Sequence, residues 1–189
     1  VNDAPSMVAV SDFATMEETS ANVSLNAIDI DGDTNFTYSA ETSSELFNVS
    51  INGSTLTINP LENQVGLGLV SVIVNDGNLN SESVSFDVTI ENVNDAPVLA
   101  TIENPESVNE DGNDISVTLA ADDVDGDLVT FTAEANNNDL FESVSVDGNI
   151  ITLNPANDAS GTSVIYIFAS DGIATVTGEF SVEVLAVND

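Results

Sequence analysis

Ser83-Val84-Ser85-Phe86-Asp87-Val88-Thr89-Ile90-Glu91-Asn92-Val93-Asn94-Asp95-Ala96-Pro97 is the stretch on which the reading of the chain turns. Its first eight residues alternate polar with apolar, so one face meets a core and the other meets water, as in a half-buried strand. Its last five repeat Val1-Asn2-Asp3-Ala4-Pro5 at a distance of 92 residues, and Val187-Asn188-Asp189 begins a third copy 94 residues further on. Other landmarks keep that register. Asp29-Ile30-Asp31-Gly32-Asp33 matches Asp123-Val124-Asp125-Gly126-Asp127, Asn59-Pro60 matches Asn154-Pro155, and Asp76-Gly77 matches Asp171-Gly172, all shifted by 94 or 95. Each unit is long enough to be a domain, which makes this a tandem array of globular modules rather than a solenoid of short repeats. The repeat divides the chain into residues 1-92 and 93-189, with 187-189 opening the next linker. A chain that opens inside a repeated motif is expected to be a piece of something longer.

The period of two extends through both units. Asn22 to Ile28, Ser54 to Ile58 and Ser83 to Ile90 alternate in the first, as do Ile115 to Leu119, Ile165 to Ala169 and Phe180 to Leu185 in the second. No helical apolar stripe of useful length is present. Asn52-Gly53 and Asp147-Gly148 sit between such runs and are expected to form type I′ hairpin turns. About seven short strands per unit is the size of an immunoglobulin-like antiparallel sandwich. The fold class is therefore all-β, with two tandem sandwiches. The Cys and Trp hallmarks of antibody domains are absent.

Composition removes most chemistries. The 189 residues include 33 Asp and Glu and no Lys, Arg, His or Cys, for a formal net charge of -33, yet 42% are hydrophobic. No basic side chain is available to bind phosphate or nucleic acid. An anionic membrane repels such a chain, and no apolar run approaches the length of a membrane helix, so no membrane insertion is expected. Without His, Cys or Lys there is no Ser-His-Asp triad, no Schiff base and no zinc site of nitrogen and sulfur ligands. No Gly-x-Ser-x-Gly motif occurs, and the acids recur identically in both units rather than forming one distinctive pair, so the protein is not expected to be an enzyme.

What survives is oxygen chemistry. Asp29, Asp31 and Asp33 fall within five residues, as do Asp123, Asp125 and Asp127, the latter preceded by Asp122. Carboxylates about 4 Å apart repel by roughly 4 kcal/mol at an effective dielectric of about 20, so such clusters call for a cation. Oxygen-only ligands on flexible loops favour calcium over magnesium. The helical EF-hand loop does not fit: its Gly belongs at position 6, whereas Gly32 and Gly126 fall at position 4, and no flanking helix is predictable. Scattered acids such as Glu41, Glu82, Glu103 and Glu179 read as a solvated face. Asn22-Val23-Ser24, Asn35-Phe36-Thr37 and Asn48-Val49-Ser50 match glycosylation acceptors, as a chain rich in Asn and Ser does by chance.

Several of these residues carry a family resemblance. Asn92-Val93-Asn94-Asp95-Ala96-Pro97 resembles the cadherin linker motif, and Asp123-Val124-Asp125 resembles the cadherin Asp-Ala-Asp motif. The pattern as a whole is similar to the cadherin-like repeats, ending in Val-Asn-Asp-Ala-Pro, of giant bacterial surface adhesins and RTX-type proteins exported by type I secretion. The resemblance implies Greek-key sandwiches placed end to end, with calcium at the junction of consecutive units. It implies ligands in Glu18 and Glu62 of the first unit, Asn92, Asn94 and Asp95 of the linker, and Asp123, Asp125 and Asp171 of the second. It also implies half-sites: Asn2, Asp3, Asp29, Asp31 and Asp76 at one end, and Glu110, Asn188 and Asp189 at the other.

The resulting expectation is a calcium-rigidified extender of a bacterial adhesin. It is extracellular at the bacterial cell surface, monomeric, partnered by adjacent repeats of the same chain, and projects a distal ligand-binding domain for adhesion or biofilm formation. The alternatives are a calcium-dependent ligand-binding or homophilic adhesion module, and generic acidic adaptation to a saline habitat.

Overall fold

The computed structural model describes residues 1–188 and divides the chain after Val93 into two compact units. Unit 1 contains β1 (Ser6–Met7), β2 (Phe13–Met16), β3 (Ala21–Ser24), β4 (Ala27–Ile28), β5 (Thr37–Thr42), β6 (Phe47–Asn52), β7 (Thr55–Pro60), β8 (Gly66–Asn75) and β9 (Val84–Glu91). Unit 2 contains β10 (Val98–Leu99), β11 (Val108–Asn109), β12 (Ile115–Thr118), β13 (Ala121–Asp122), β14 (Thr130–Ala135), β15 (Phe141–Asp147), β16 (Ile150–Pro155), β17 (Gly161–Ser170) and β18 (Thr175–Leu185).

Both units have one topology. A four-stranded sheet, β2-β9-β8-β5 or β11-β18-β17-β14, faces a three-stranded sheet, β3-β7-β6 or β12-β16-β15. Alternation builds the core: Val70, Val72, Phe86, Val88 and Ile90 from one sheet meet Phe47, Leu56 and Ile58 from the other. Ile165, Ile167, Phe180 and Val182 meet Ile151 and Leu153 in the same way in unit 2. The predicted sandwich is thus the observed one.

Two features of this scaffold position the acids. The short pairs β1–β4 and β10–β13 tie each incoming linker to the strand that runs into the Asp-x-Asp-Gly-Asp loop. The edge strands β2 and β11 run parallel to the last strand of their own unit, which brings the residue after β2 beside the outgoing chain.

Two expectations are corrected here. The run Asn22–Ile28 is not one strand: β3 ends at Ser24, Leu25 turns inward and bonds its N–H to the Ser54 carbonyl at 2.8 Å, and β4 then pairs with β1. The hairpins are not Asn-Gly and Asp-Gly turns of type I′. Asn52 pairs with Thr55 and Asp147 with Ile150, so the loop residues are Gly53-Ser54 and Gly148-Asn149. Only the glycines have positive φ, 60° and 57°, which is the type II′ requirement.

Candidate metal centre

In unit 2 the linker is stitched to the acids by its own backbone and amides. Asn94 donates its side-chain N–H to Asp171 Oδ2 at 3.0 Å and to the Asp95 carbonyl at 2.9 Å, and the Asp95 N–H donates to Asp125 Oδ2 at 2.7 Å. Asp123 Oδ1 accepts from the N–H groups of Asp125 and Asp127 at 3.0 and 3.3 Å, an Asx turn that folds the acidic run back on itself. Gly126, with φ of 80°, makes that reversal in a backbone conformation that residues with a side chain rarely adopt. Asp171 Oδ1 accepts from the Ile173 and Ala174 N–H groups at 2.7 and 2.6 Å.

Unit 1 repeats this cradle bond for bond. Asn2 donates to Asp76 Oδ2 at 2.9 Å and to the Asp3 carbonyl at 3.0 Å, and the Asp3 N–H donates to Asp31 Oδ2 at 2.6 Å. Asp31 donates its N–H to Asp29 Oδ1 at 2.7 Å, while Asp76 Oδ1 accepts from Asn78 and Leu79 at 2.7 and 2.8 Å.

Hydrogen bonds favour the ionised form of two of these carboxylates. The Leu79 N–H, followed by the Asn2 amide and the Asn78 N–H, holds the Asp76 carboxyl below its ordinary pKa. The Asn94 amide, followed by the Ile173 N–H, does the same for Asp171. Ligand oxygens of Asp123, Asp125 and Asp127 lie within 4.8 Å of one another, as do those of Asp29, Asp33 and Asp76. Asp29 Oδ2 and Asp123 Oδ2 are buried with no hydrogen-bond partner. A buried, unpartnered carboxylate oxygen costs several kcal/mol unless a cation meets it. Oxygen donors alone, with several carboxylates per cradle, fit calcium. A cation bound there would neutralise the charge and fix the loop, and Asp123, Asp125 and Asp127 would hold it in unit 2.

The opposite end of each unit carries one buried Glu, and its identity corrects the sequence reading. Glu17, 1% exposed, accepts the Val93 N–H at 3.0 Å through Oε1, while its Oε2 is buried without a partner. Glu110, 6% exposed, accepts the Val187 N–H at 2.7 Å. Glu17, not Glu18, is therefore the structural counterpart of Glu110. Glu18 is exposed with φ of 58°, in the turn that follows β2. Strand parity carried this information: Phe13 and Thr15 point inward, so the next residue of that parity is Glu17.

The structure brings Asn94, Asp95, Asp123, Asp125 and Asp171 into one network, and Asn2, Asp3, Asp29, Asp31 and Asp76 into another. Glu62 is exposed in the loop after β7, and Asn92 and Asn188 are exposed. Asp189 lies outside the described residues. Asp33 and Asp127 join the clusters although the cadherin motif supplied no place for them; the signal was the third Asp of the Asp-x-Asp-Gly-Asp run itself.

No helix among the described residues is long and apolar enough to cross a membrane. Comparison with known proteins agrees with the fold. Human protocadherin-24 EC1-2 (form II) is similar over 99% of this chain and 100% of that one, with a TM-score of 0.67 and 19% identity. Drosophila N-cadherin EC1-4 is similar over 99% of this chain and 50% of that one, at 0.62 and 16%. Human mucin-like protocadherin EC1-2 is similar over 97% and 98%, at 0.56 and 19%. Among curated proteins no relative matches the sequence. A family model described as Bacterial Ig domain matches twice, over residues 2–89 and 94–183, and on that double match the chain belongs to the Bacterial Ig domain family.

Proposed function

We propose that the chain is a calcium-rigidified extender module of a large bacterial surface adhesin, outside the cell, whose role is structural rather than catalytic. The observation that carries this reading is the anchoring of the linker by carboxylates beside buried oxygens that have no partner. The Val93 N–H is held by Glu17, whose second oxygen is buried and unpartnered. The next residue, Asn94, is held by Asp171, and Asp95 by Asp125, beside the unpartnered Asp123 Oδ2. A cation bound by the carboxylates of a cradle fixes the same groups that hold the linker peptide entering that unit, so calcium binding and stiffening of that peptide are one event. The recurrence of the cradle in unit 1 supports a repeated structural role over a unique reaction centre.

In this scheme the linker is a mobile hinge at the low calcium of the cytoplasm and stiffens outside. Extracellular modules with dissociation constants of about 10⁻⁴ to 10⁻³ M suit that switch. A rod of this kind projects a distal binding domain of its parent protein towards a surface or another cell, in adhesion or biofilm formation. Small-angle scattering with calcium and with chelator tests the proposal. The maximum dimension is expected to become larger and better defined with calcium; an unchanged scattering profile overturns it. Folding and stiffening in concentrated sodium chloride with chelator present would instead mark a general response to salt.

A further inference from the structure

A chain with 33 carboxylates and no basic residue has few faces from which carboxylates are missing, and unit 1 has one: β3, β6 and β7 contain no Asp or Glu at all. Their inward residues, among them Phe47, Leu56 and Ile58, enter the core. The outward residues form cross-strand rows. Asn22 stands opposite Thr57, which stands opposite Ser50; in the next row Ser24 stands opposite Thr55, which stands opposite Asn52. Asn22, Ser24, Ser50 and Asn52 are exposed, and Thr55 and Thr57 are half-buried in the central strand. Thr57 donates its hydroxyl to Asn22 Oδ1 at 2.7 Å, which fixes the middle of the grid.

Carboxylates only accept hydrogen bonds, and the chain has no Lys, Arg, His or Trp, so nearly all its side-chain donors are hydroxyls and amides. This face gathers them on one sheet, where neighbouring strands lie about 4.8 Å apart. Groups that both donate and accept are complementary to ligands that also do both. Charge selects among such ligands. An anionic polymer is repelled by the net charge of -33, a second copy carries that same charge, and a cationic partner finds its complement on the acidic surfaces rather than here. The ligand class left is an uncharged polyhydroxyl chain.

We propose that the outer face of β3-β7-β6 in unit 1 binds a neutral polysaccharide through its hydroxyl and amide rows. Unit 2 provides an internal contrast. Its row Ser116, Thr152, Ser145 is retained, but the next row reads Thr118, Ile150, Asp147, with an exposed apolar residue and a carboxylate in place of two polar neutral groups. The face is therefore a property of unit 1.

Affinity electrophoresis of the whole chain in calcium tests this, in gels containing a neutral glucan or a polyuronate. Retardation by the neutral glucan alone is expected. Thr57→Glu, which places a charge at the centre of the grid, is expected to weaken retardation about tenfold or more, while Thr152→Glu, at the matching position of unit 2, leaves it unchanged. An unaltered calcium melting midpoint shows that Thr57→Glu is folded; should it not fold, Ser50→Glu, on an exposed residue, carries the same comparison. The proposal is overturned by absence of retardation in the neutral glucan, by equal weakening in both variants, by retardation in the polyuronate, or by self-association that Thr57→Glu abolishes. None of these residues belongs to the acidic cradles, so failure here leaves the calcium reading standing.

Discussion

Replacing Asp123 with Asn should change protein stability in opposite directions depending on calcium. The side chain sits at the centre of the unit 2 cradle: Oδ1 accepts two backbone N–H groups, Oδ2 is buried without a partner, and the carboxylates of Asp125 and Asp127 lie within 4.8 Å. At that separation each like-charge pair costs about 3.5 kcal/mol at an effective dielectric of about 20. Asn keeps the Oδ1 acceptor, removes one charge, and offers its N–H to the neighbouring carboxylates. Because Asp125 is half-buried and Asp127 exposed, solvent and salt screen much of the repulsion, leaving a gain of about 1 to 3 kcal/mol. For a unit of this size that corresponds to a rise of roughly 5 to 15 °C in the unfolding midpoint of unit 2 in chelator. In millimolar calcium the same substitution deletes a ligand, and the midpoint is expected to fall below that of the parent. Differential scanning calorimetry in chelator and in calcium reads both arms. A variant that melts lower than the parent in chelator, or by the same interval in both buffers, would refute the argument that the cradle is strained by uncompensated charge.

Three further outcomes follow from named contacts. Glu17→Gln should reduce the calcium-induced rise in melting midpoint while Glu18→Gln leaves it intact, measured in parallel titrations; equal behaviour would return the assignment to the exposed residue. In chelator, Asp171→Asn should cost stability above the unfolded carboxyl pKa of about 3.9. The hydrogen bonds that lower the folded pKa of Asp171 contribute fully above that value and are lost as pH falls through the folded pKa, so the gap between parent and variant should close on acidification. Denaturant unfolding at stepped pH measures that gap, and a constant gap would contradict it. Gly68→Ala should destabilise unit 1 by about 1 to 3 kcal/mol, because an added Cβ would lie 2.5 Å from a ring carbon of the fully buried Phe47. Urea unfolding at fixed calcium reads this change, and a neutral result would mean that Phe47 has room to retreat.

The fold was legible where one side-chain parity persisted for many residues. The alternating run Ser83–Ile90 falls in β9, Val84–Glu91, but for its first residue, with Phe86, Val88 and Ile90 inside, as alternation demands. Legibility ended where the chain changes sheets. At Leu25 the apolar alternation continues, but the backbone leaves β7 for β1, and a periodic pattern does not report which strand accepts its hydrogen bonds. The hairpins erred by one residue because Asn52 and Asp147 favour turns yet pair as strand ends, leaving Gly53 and Gly148 to take the positive φ. Of the site, the linker and the Asp-x-Asp runs were legible because their spacing recurs. Glu17 was not, since two adjacent glutamates differ only in which side of β2 they face; a residue-type motif is silent on that, and the parity of Phe13 and Thr15 is not.

The parallel pairing of β2 with β9 has a mechanical consequence. Phe13 to Met16 lie in register with Val88 to Glu91, and the Glu17 N–H adds a further bond to the Glu91 carbonyl at 2.9 Å. When unit 1 is pulled by its two ends, tension that has passed the two-residue pair β1–β4 enters β2 at its leading end and β9 at its trailing end. The rungs of a parallel ladder then lie across the load and share it simultaneously, whereas a hairpin pulled from its open end gives way one rung at a time. The bond from the Val93 N–H to Glu17 extends this shared load to the end of the unit, so unit 1 resists stretching with the same strand pair that delivers Glu17 to its buried position.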